Sequence, residues 1–150
     1  MHPCINQMTM KFDSRSVNEG FARTAVAVFV AQLDPTLEEL NDIKTVVSEA
    51  VTNSIVHGYQ NTGGQIHITV KLFENNTVQI QVRDNGCGIP DVTQARQPMF
   101  TTGGEERSGM GFTIMESFSD KLRVRSKPEK GTVITLLKTI QGKDYDNRNA

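Results

Sequence analysis

The stretch IHITVKLFENNTVQIQVRDNGCGIP, residues 66–90, carries the reading that decides the fold. Ile66, Ile68, Val70 and Leu72 alternate with polar neighbours, and Val78, Ile80 and Val82 do the same after Glu74-Asn75-Asn76. A period of two on both sides of a short polar turn predicts an antiparallel hairpin with one buried face. The second strand runs straight into Asp84-Asn85-Gly86-Cys87-Gly88-Ile89-Pro90, so a carboxylate and a glycine-rich loop stand at its end.

On the N-terminal side the period changes. Thr36-Leu37-Glu38-Glu39 reads as a capping box opening a helix that continues to about His57 and stops at Gly58. Leu40, Ile43, Val47, Ala50, Val51 and Ile55 fall at helical spacings and should face the core. Ser16-Val17-Asn18-Glu19 reads as another capping box, for a helix to about Gln32 whose apolar residues include Phe21, Val26, Phe29 and Val30. Before it, Met8, Met10 and Phe12 suggest a short strand.

On the C-terminal side a polar stretch with little periodicity, holding Gln97-Pro98 and Gly103-Gly104, extends to about Ser108 and predicts a mobile segment. A short helix from Gly111 to about Phe118 follows, then strands Lys121–Arg125 and Thr132–Leu137 around the turn Lys127-Pro128-Glu129-Lys130-Gly131. The polar tail, Gln141 to Ala150, is expected to be disordered. Consecutive strands are too close for crossover helices, which excludes an alternating parallel design. The expectation is one domain over residues 1–140. Its fold class is α+β: a sandwich of a mixed, mostly antiparallel sheet with helices on one face.

Sixteen basic and seventeen acidic residues leave a net charge of −1, which argues against a nucleic acid or anionic membrane held by bulk electrostatics. An anionic ligand must then be held locally, by loops and helix ends. Cys4 and Cys87 are too few for a disulfide framework and lack zinc-ligand spacing. No apolar run is long enough to span a bilayer, and Met1-His2-Pro3-Cys4 has no signal-peptide character, so the expected location is the cytoplasm.

Three motifs carry candidate chemistry. Glu49, Asn53 and His57 recur every four residues on one helical face. They could hold a metal-bound phosphate and activate a hydroxyl, or form an ordinary solvated stripe with Glu49 bonded to Asn53. Asp84 could accept a hydrogen bond from an exocyclic amine such as that of adenine, while Gly86 and Gly88 let backbone approach a ligand; the alternative is a plain turn. Arg107-Ser108-Gly109-Met110-Gly111 precedes a helix, where free N–H groups attract anions and Arg107 could add a charge-assisted contact; it could also be only a helix start. Neither the Walker loop nor the Gly-x-Gly-x-x-Gly pattern is present.

In this order the motifs resemble the ATP-binding fold of the GHKL superfamily, shared by gyrase, heat-shock protein 90, sensor histidine kinases and mismatch-repair ATPases, over about Thr36 to Leu137. A narrower resemblance spans nearly the whole chain. Ile43-Lys44-Thr45-Val46-Val47-Ser48-Glu49-Ala50-Val51-Thr52-Asn53, Ala95-Arg96-Gln97-Pro98, Phe100-Thr101-Thr102 and Ser108-Gly109-Met110-Gly111-Phe112-Thr113-Ile114-Met115-Glu116 look like the anti-sigma kinases of endospore-forming bacteria.

That resemblance implies a serine protein kinase using ATP and magnesium, with ATP or ADP bound. Asn53 would ligate the metal and Glu49 would be the general base. Asp84 would read the adenine amine, Gly86 and Gly88 would shape the pocket floor, and Thr132 would support the adenine side. Ser108, Gly109, Met110 and Gly111 would wrap the phosphates, beneath a lid from about Asp91 to Ser108 that includes Thr101 and Arg107. The implied acceptor is a serine on an anti-anti-sigma factor. The implied second partner is a sporulation sigma factor, sequestered by a homodimer. Arg23, charged on an otherwise apolar helix, is the candidate partner contact, or else a solvated arginine. His57, near a helix end, reads as a stabilising terminal residue. The lid Thr101-Thr102-Gly103-Gly104-Glu105-Glu106-Arg107 departs from the family pattern: it is slightly shorter, carries two glycines and has no lysine after the threonines. Competing readings are a switch that binds nucleotide without transferring phosphate, an anti-sigma kinase of the general-stress branch, and an ATPase of the mismatch-repair kind.

Overall fold

The computed structural model describes residues 2–97 and 111–142. Strand β1 (Cys4–Asp13) leads to helix α1 (Val17–Val30), a single 3-10 turn and helix α2 (Leu37–Asn53). A π-helical turn, Ser54–Gly58, extends α2 and precedes the hairpin β2 (Gln65–Phe73) and β3 (Thr77–Asp84). A four-residue turn of helix α3 (Val92–Ala95) lies within the stretch that showed no periodicity; Asp91 caps it by accepting from the Gln94 N–H at 3.0 Å. Helix α4 (Gly111–Ser117) and strands β4 (Lys121–Lys127) and β5 (Gly131–Thr139) complete the fold.

The strands form one sheet in the order β1-β2-β3-β5-β4, and every pairing among the described residues is antiparallel. The α+β sandwich is as expected. Asn76 adopts a left-handed φ of 59° to turn the β2–β3 hairpin, a conformation that asparagine tolerates well. On one side of the sheet Ile66, Ile68, Val70, Leu72, Val78, Ile80, Ile134 and Leu136 are buried. They meet Ala22, Val26 and Val30 of α1 and Ile43, Val46, Val47, Ala50 and Val51 of α2 in one core. The core-facing residues expected of α2 are buried, apart from Leu40, which is half-exposed. No described helix is long and apolar enough to cross a membrane.

The two capping boxes fare differently. At α1, Ser16 itself takes helical dihedrals (φ −57°, ψ −30°) and its side chain makes no capping bond. Glu19 turns the other way, to Arg23 one turn on, at 2.9 Å. Arg23 is therefore half of a surface ion pair, a contact worth little to stability.

At α2 the box is complete: Thr36 accepts from the Glu39 N–H at 3.1 Å, and Glu39 accepts from the Thr36 N–H at 2.9 Å. The same carboxylate receives the N–H groups of Gln141 (2.7 Å) and Gly142 (3.0 Å), tying the end of the described chain to the start of α2. Burial would raise the Glu39 pKa, but the hydrogen bonds from Thr36, Gln141 and Gly142 outweigh it and hold the group below the usual carboxylate range. A depressed folded pKa stabilises above the unfolded value, and that contribution is lost as pH falls through the folded one. Glu39→Ala should cost about 1 kcal/mol at neutral pH, the usual effect of losing a helix cap, with the charge contribution reduced by solvent screening. The gap from the parent should narrow as the solution is acidified, which chemical denaturation at a series of pH values will check.

Candidate functional site

The polar groups gather on the last inward row of the sheet. Register places Ile66 opposite Asp84, Asp84 opposite Thr132, and Thr132 opposite Ser126. Along β3 the inward positions run Val78, Ile80, Val82 and then Asp84, so the strand's alternation carries a carboxylate into the core face. Asp84 is only 2% exposed. Its Oδ1 accepts from the Gly86 N–H at 3.0 Å. The buried Ser54 hydroxyl lies close enough to the carboxylate to favour its charged form. Burial dominates and pushes the Asp84 pKa up, opposed by hydrogen bonding from Gly86, Ser54 and Thr132. Thr132 and Ser126 share a hydroxyl–hydroxyl bond of 2.8 Å, and Ser126 also receives the Ile89 N–H at 2.7 Å.

The loop after Asp84 is clamped to the end of α2. The Gly58 carbonyl accepts from the Cys87 N–H at 2.8 Å, and the His57 carbonyl accepts from the Cys87 thiol at 3.1 Å. A Cβ on Gly86 would lie 2.1 Å from the Gly58 oxygen, and one on Gly58 would lie 3.0 Å from the Asp84 carboxylate. Gly88 needs its positive φ of 76°, and a Cβ there would lie 2.0 Å from the Lys127 oxygen. Gly86 and Gly88 therefore serve backbone-to-backbone packing within the fold, and Gly58 leaves room for the Asp84 carboxylate. The β4–β5 turn closes the other side, with the Glu129 N–H donating to the Cys87 carbonyl at 2.6 Å.

Across this clamp stands α2. Glu49, half-buried, lies one helical turn before Asn53, which is 7% exposed and ends the regular helix. His57 falls in the π-helical turn, where the Tyr59 N–H reaches back five residues to the Ser54 carbonyl, so α-helical spacing does not set its direction. Gly111 begins α4, whose Phe112 and Met115 are buried in the shared core. Thr101, Arg107, Ser108, Gly109 and Met110 lie outside the described residues, as does most of the expected lid. Arg23, on α1, belongs to another surface.

Three residues of this constellation, Ser54, Tyr59 and Ser126, escaped the sequence reading, and Gly58 was read only as a helix stop. The Tyr59 hydroxyl accepts from the Asn85 N–H at 2.8 Å and donates to the Gln65 carbonyl at 2.6 Å, a long-range link that no spacing announces. Ser126 did leave a signal. It follows Leu122 and Val124 at an inward position, where a polar residue needs a partner.

A buried carboxylate at a strand end, an amide with a carboxylate one turn earlier, and a glycine-clamped loop between them can accept from a ligand's N–H, offer one hard oxygen and take up a proton. The family model of the histidine kinase-like ATPase domain matches residues 12–138, nearly the whole chain. An anti-sigma F factor of Bacillus licheniformis is 58% identical over 137 residues, covering 90% of this chain and 93% of its own. The chain belongs to the anti-sigma F factor family. The family's Geobacillus kaustophilus member is likewise 58% identical over 90% of this chain and 93% of its own.

Among solved structures, the RsbU and RsbW domains of Rv1364c from Mycobacterium tuberculosis align with a TM-score of 0.65 at 18% identity, over 90% of this chain and 32% of that one. The mycobacterial sensor histidine kinase MprB aligns at 0.56 and 14% identity, over 90% and 99%. At such identities the likeness shows the fold alone. Membership in an ATPase-domain family makes ATP or ADP the ligand of this anti-sigma F factor-like domain.

Proposed function

We propose that this chain is an ATP-dependent serine protein kinase that phosphorylates an anti-anti-sigma factor and, as a nucleotide-bound dimer, sequesters a sporulation sigma factor in the cytoplasm. The observation that carries the catalytic part is Glu49 one turn before a buried Asn53, on the helix whose end is clamped to the Asp84 loop. In the proposed reaction the Glu49 carboxylate takes the proton of the acceptor serine as its oxygen bonds to the γ-phosphorus. The bond from that phosphorus to the β–γ bridging oxygen breaks, and ADP leaves. Phosphoryl transfer asks mainly for positioning and charge neutralisation, so one base, one metal ligand and a backbone cradle suffice.

No group of three or more His, Cys, Asp or Glu able to hold a metal exists among the described residues. The Asn53 carboxamide offers one hard oxygen, which fits magnesium, an ion that takes most of its ligands from phosphates and water. Magnesium bound there would neutralise charge on the transferring phosphoryl group. Asp84, with Gly86 already on Oδ1, has acceptor capacity left for the adenine amine, and Thr132 lies beside it. Thr101, Arg107 and Ser108 to Gly111 are assigned to the phosphates by the family resemblance. For the protein partners, α1 offers Arg23 and an exposed stripe of Val17, Phe21 and Val28 at helical spacing, an apolar surface suited to a protein interface.

Incubation with γ-labelled ATP and a candidate anti-anti-sigma protein tests this reading. Label on a serine of the added protein is the expected result, whereas free phosphate alone would make the chain an ATPase.

A further inference from the structure

Helices cover one side of the sheet; the other side is a field of cations. Register sets three rows across it. Lys11, His67, Arg83, Val133 and Arg125 form the first, Thr9, Thr69, Gln81, Thr135 and Arg123 the second, and Gln7, Lys71, Gln79, Leu137 and Lys121 the third. Side-chain bonds between Thr9 and Thr69 (3.2 Å) and between Gln81 and Thr135 (3.4 Å) confirm that these residues share a face. Of the cations, Lys11, Arg83, Lys121, Arg123 and Arg125 are exposed and Lys71 is half-buried. None of the six makes an ion pair among the described residues. The rows contain no Asp or Glu; Asp13, at the β1 edge, is the nearest acid in register.

The first row ends in a cleft of about 230 Å³, where Arg83 and Arg125 are joined by Lys127 and Lys130; Asp84 and Thr132, whose side chains point to the core face, also line it. One acid, Glu129, stands exposed in the same turn between Lys127 and Lys130. A chain of net charge −1 has thus gathered much of its positive charge on one face, with the acids Glu38, Glu39, Asp42 and Glu49 on α2 across the core.

We propose that this open sheet face, anchored at the Arg83–Arg125 cleft, docks an Asp- and Glu-rich segment of a partner protein. Charge complementarity names the sign of the partner, and the composition of the rows names its kind. The rows carry no Phe, Tyr or Trp, so they lack the stacking platform by which sheets hold single-stranded nucleic acid. Thr, Gln, Val133 and Leu137 stand between the cations, a mixture that suits polypeptide side chains and backbone better than a uniform phosphate lattice. A near-neutral chain also lacks the net field that draws proteins to nucleic acid or to an anionic bilayer. His67 supplies a reporter. Burial, with Arg83 and Lys11 on either side, holds its pKa below the ordinary value, and its Nδ1 is buried without a partner among the described residues.

The test titrates the isotope-labelled full chain with a poly-glutamate peptide at low and physiological salt, following amide shifts and the His67 titration. Binding should weaken with salt, map to the three rows and raise the His67 pKa. The double variant R83E/R125E should weaken it at least about tenfold, while R83Q/R125Q weakens it less; a thermal melt of each confirms folding. No binding, shifts on another surface, or an unchanged affinity in the folded variants would overturn the proposal. So would equal or tighter binding of a single-stranded oligonucleotide or of phosphatidylserine vesicles. The readout is indifferent to kinase activity, so the proposal can fail while the kinase reading stands.

Discussion

Glu49→Gln should lower the rate of serine phosphorylation by about 10²–10⁴-fold, the usual contribution of a positioned general base, while leaving ATP affinity nearly unchanged. The amide keeps the shape of the carboxylate while removing its charge and its ability to take a proton, so helix α2 and its core contacts stay in place. Single-turnover phosphorylation alongside equilibrium nucleotide binding separates the two effects. A variant that phosphorylates at the parental rate removes Glu49 from the mechanism. One that loses nucleotide affinity in proportion to rate makes Glu49 a binding residue instead.

Asp84→Asn should have two opposed effects. The raised pKa means that the folded state disfavours the Asp84 charge. Such a group contributes most below the ordinary aspartate value, and its contribution is lost as pH rises through the folded pKa. The amide escapes that loss, so the variant should be the more stable protein near neutral pH, with the advantage fading on acidification. Binding should suffer. Asparagine has one oxygen, which the Gly86 N–H claims, leaving an NH2 group to face the adenine amine, donor against donor. Losing a hydrogen bond to a charged acceptor costs about 2 kcal/mol, roughly thirtyfold in Kd. Guanine presents an acceptor at the same position, so GTP should gain on ATP. Calorimetric titration with both nucleotides, beside melts at acid and neutral pH, decides the matter; undiminished preference for ATP would take Asp84 away from the base.

The sheet was legible because its strands alternate cleanly. Ile66 to Leu72 and Val78 to Val82 bury the face that their period specifies, and the same arithmetic brings Asp84 inward. Helix α2 was legible from its capping box and apolar spacing. The false capping box at Ser16 shows where pattern fails: Ser-x-x-Glu names residues that can cap, but backbone dihedrals decide, and Ser16 is already helical. The π-helical turn after Asn53 was hidden as well, since Ser54 to Gly58 reads as smooth continuation of the helix. It coincides with a tertiary contact, the docking of the Asp84 loop onto Gly58. Tyr59 was invisible because both of its hydroxyl partners are backbone groups, at Gln65 and Asn85, and no side-chain pattern marks them.

The contact between Gly58, Asp84 and Gly86 also constrains how such a sequence can drift. A side chain at Gly86 would collide with main-chain atoms of Gly58, and no substitution makes a backbone smaller. A side chain at Gly58 would press on the buried Asp84 carboxylate, which would have to shift by a few tenths of an ångström. Second-site repair is closed at Gly86, whereas a change at Gly58 comes only at the expense of the Asp84 carboxylate's position, so Gly86 is fixed by the fold and Gly58 by the site.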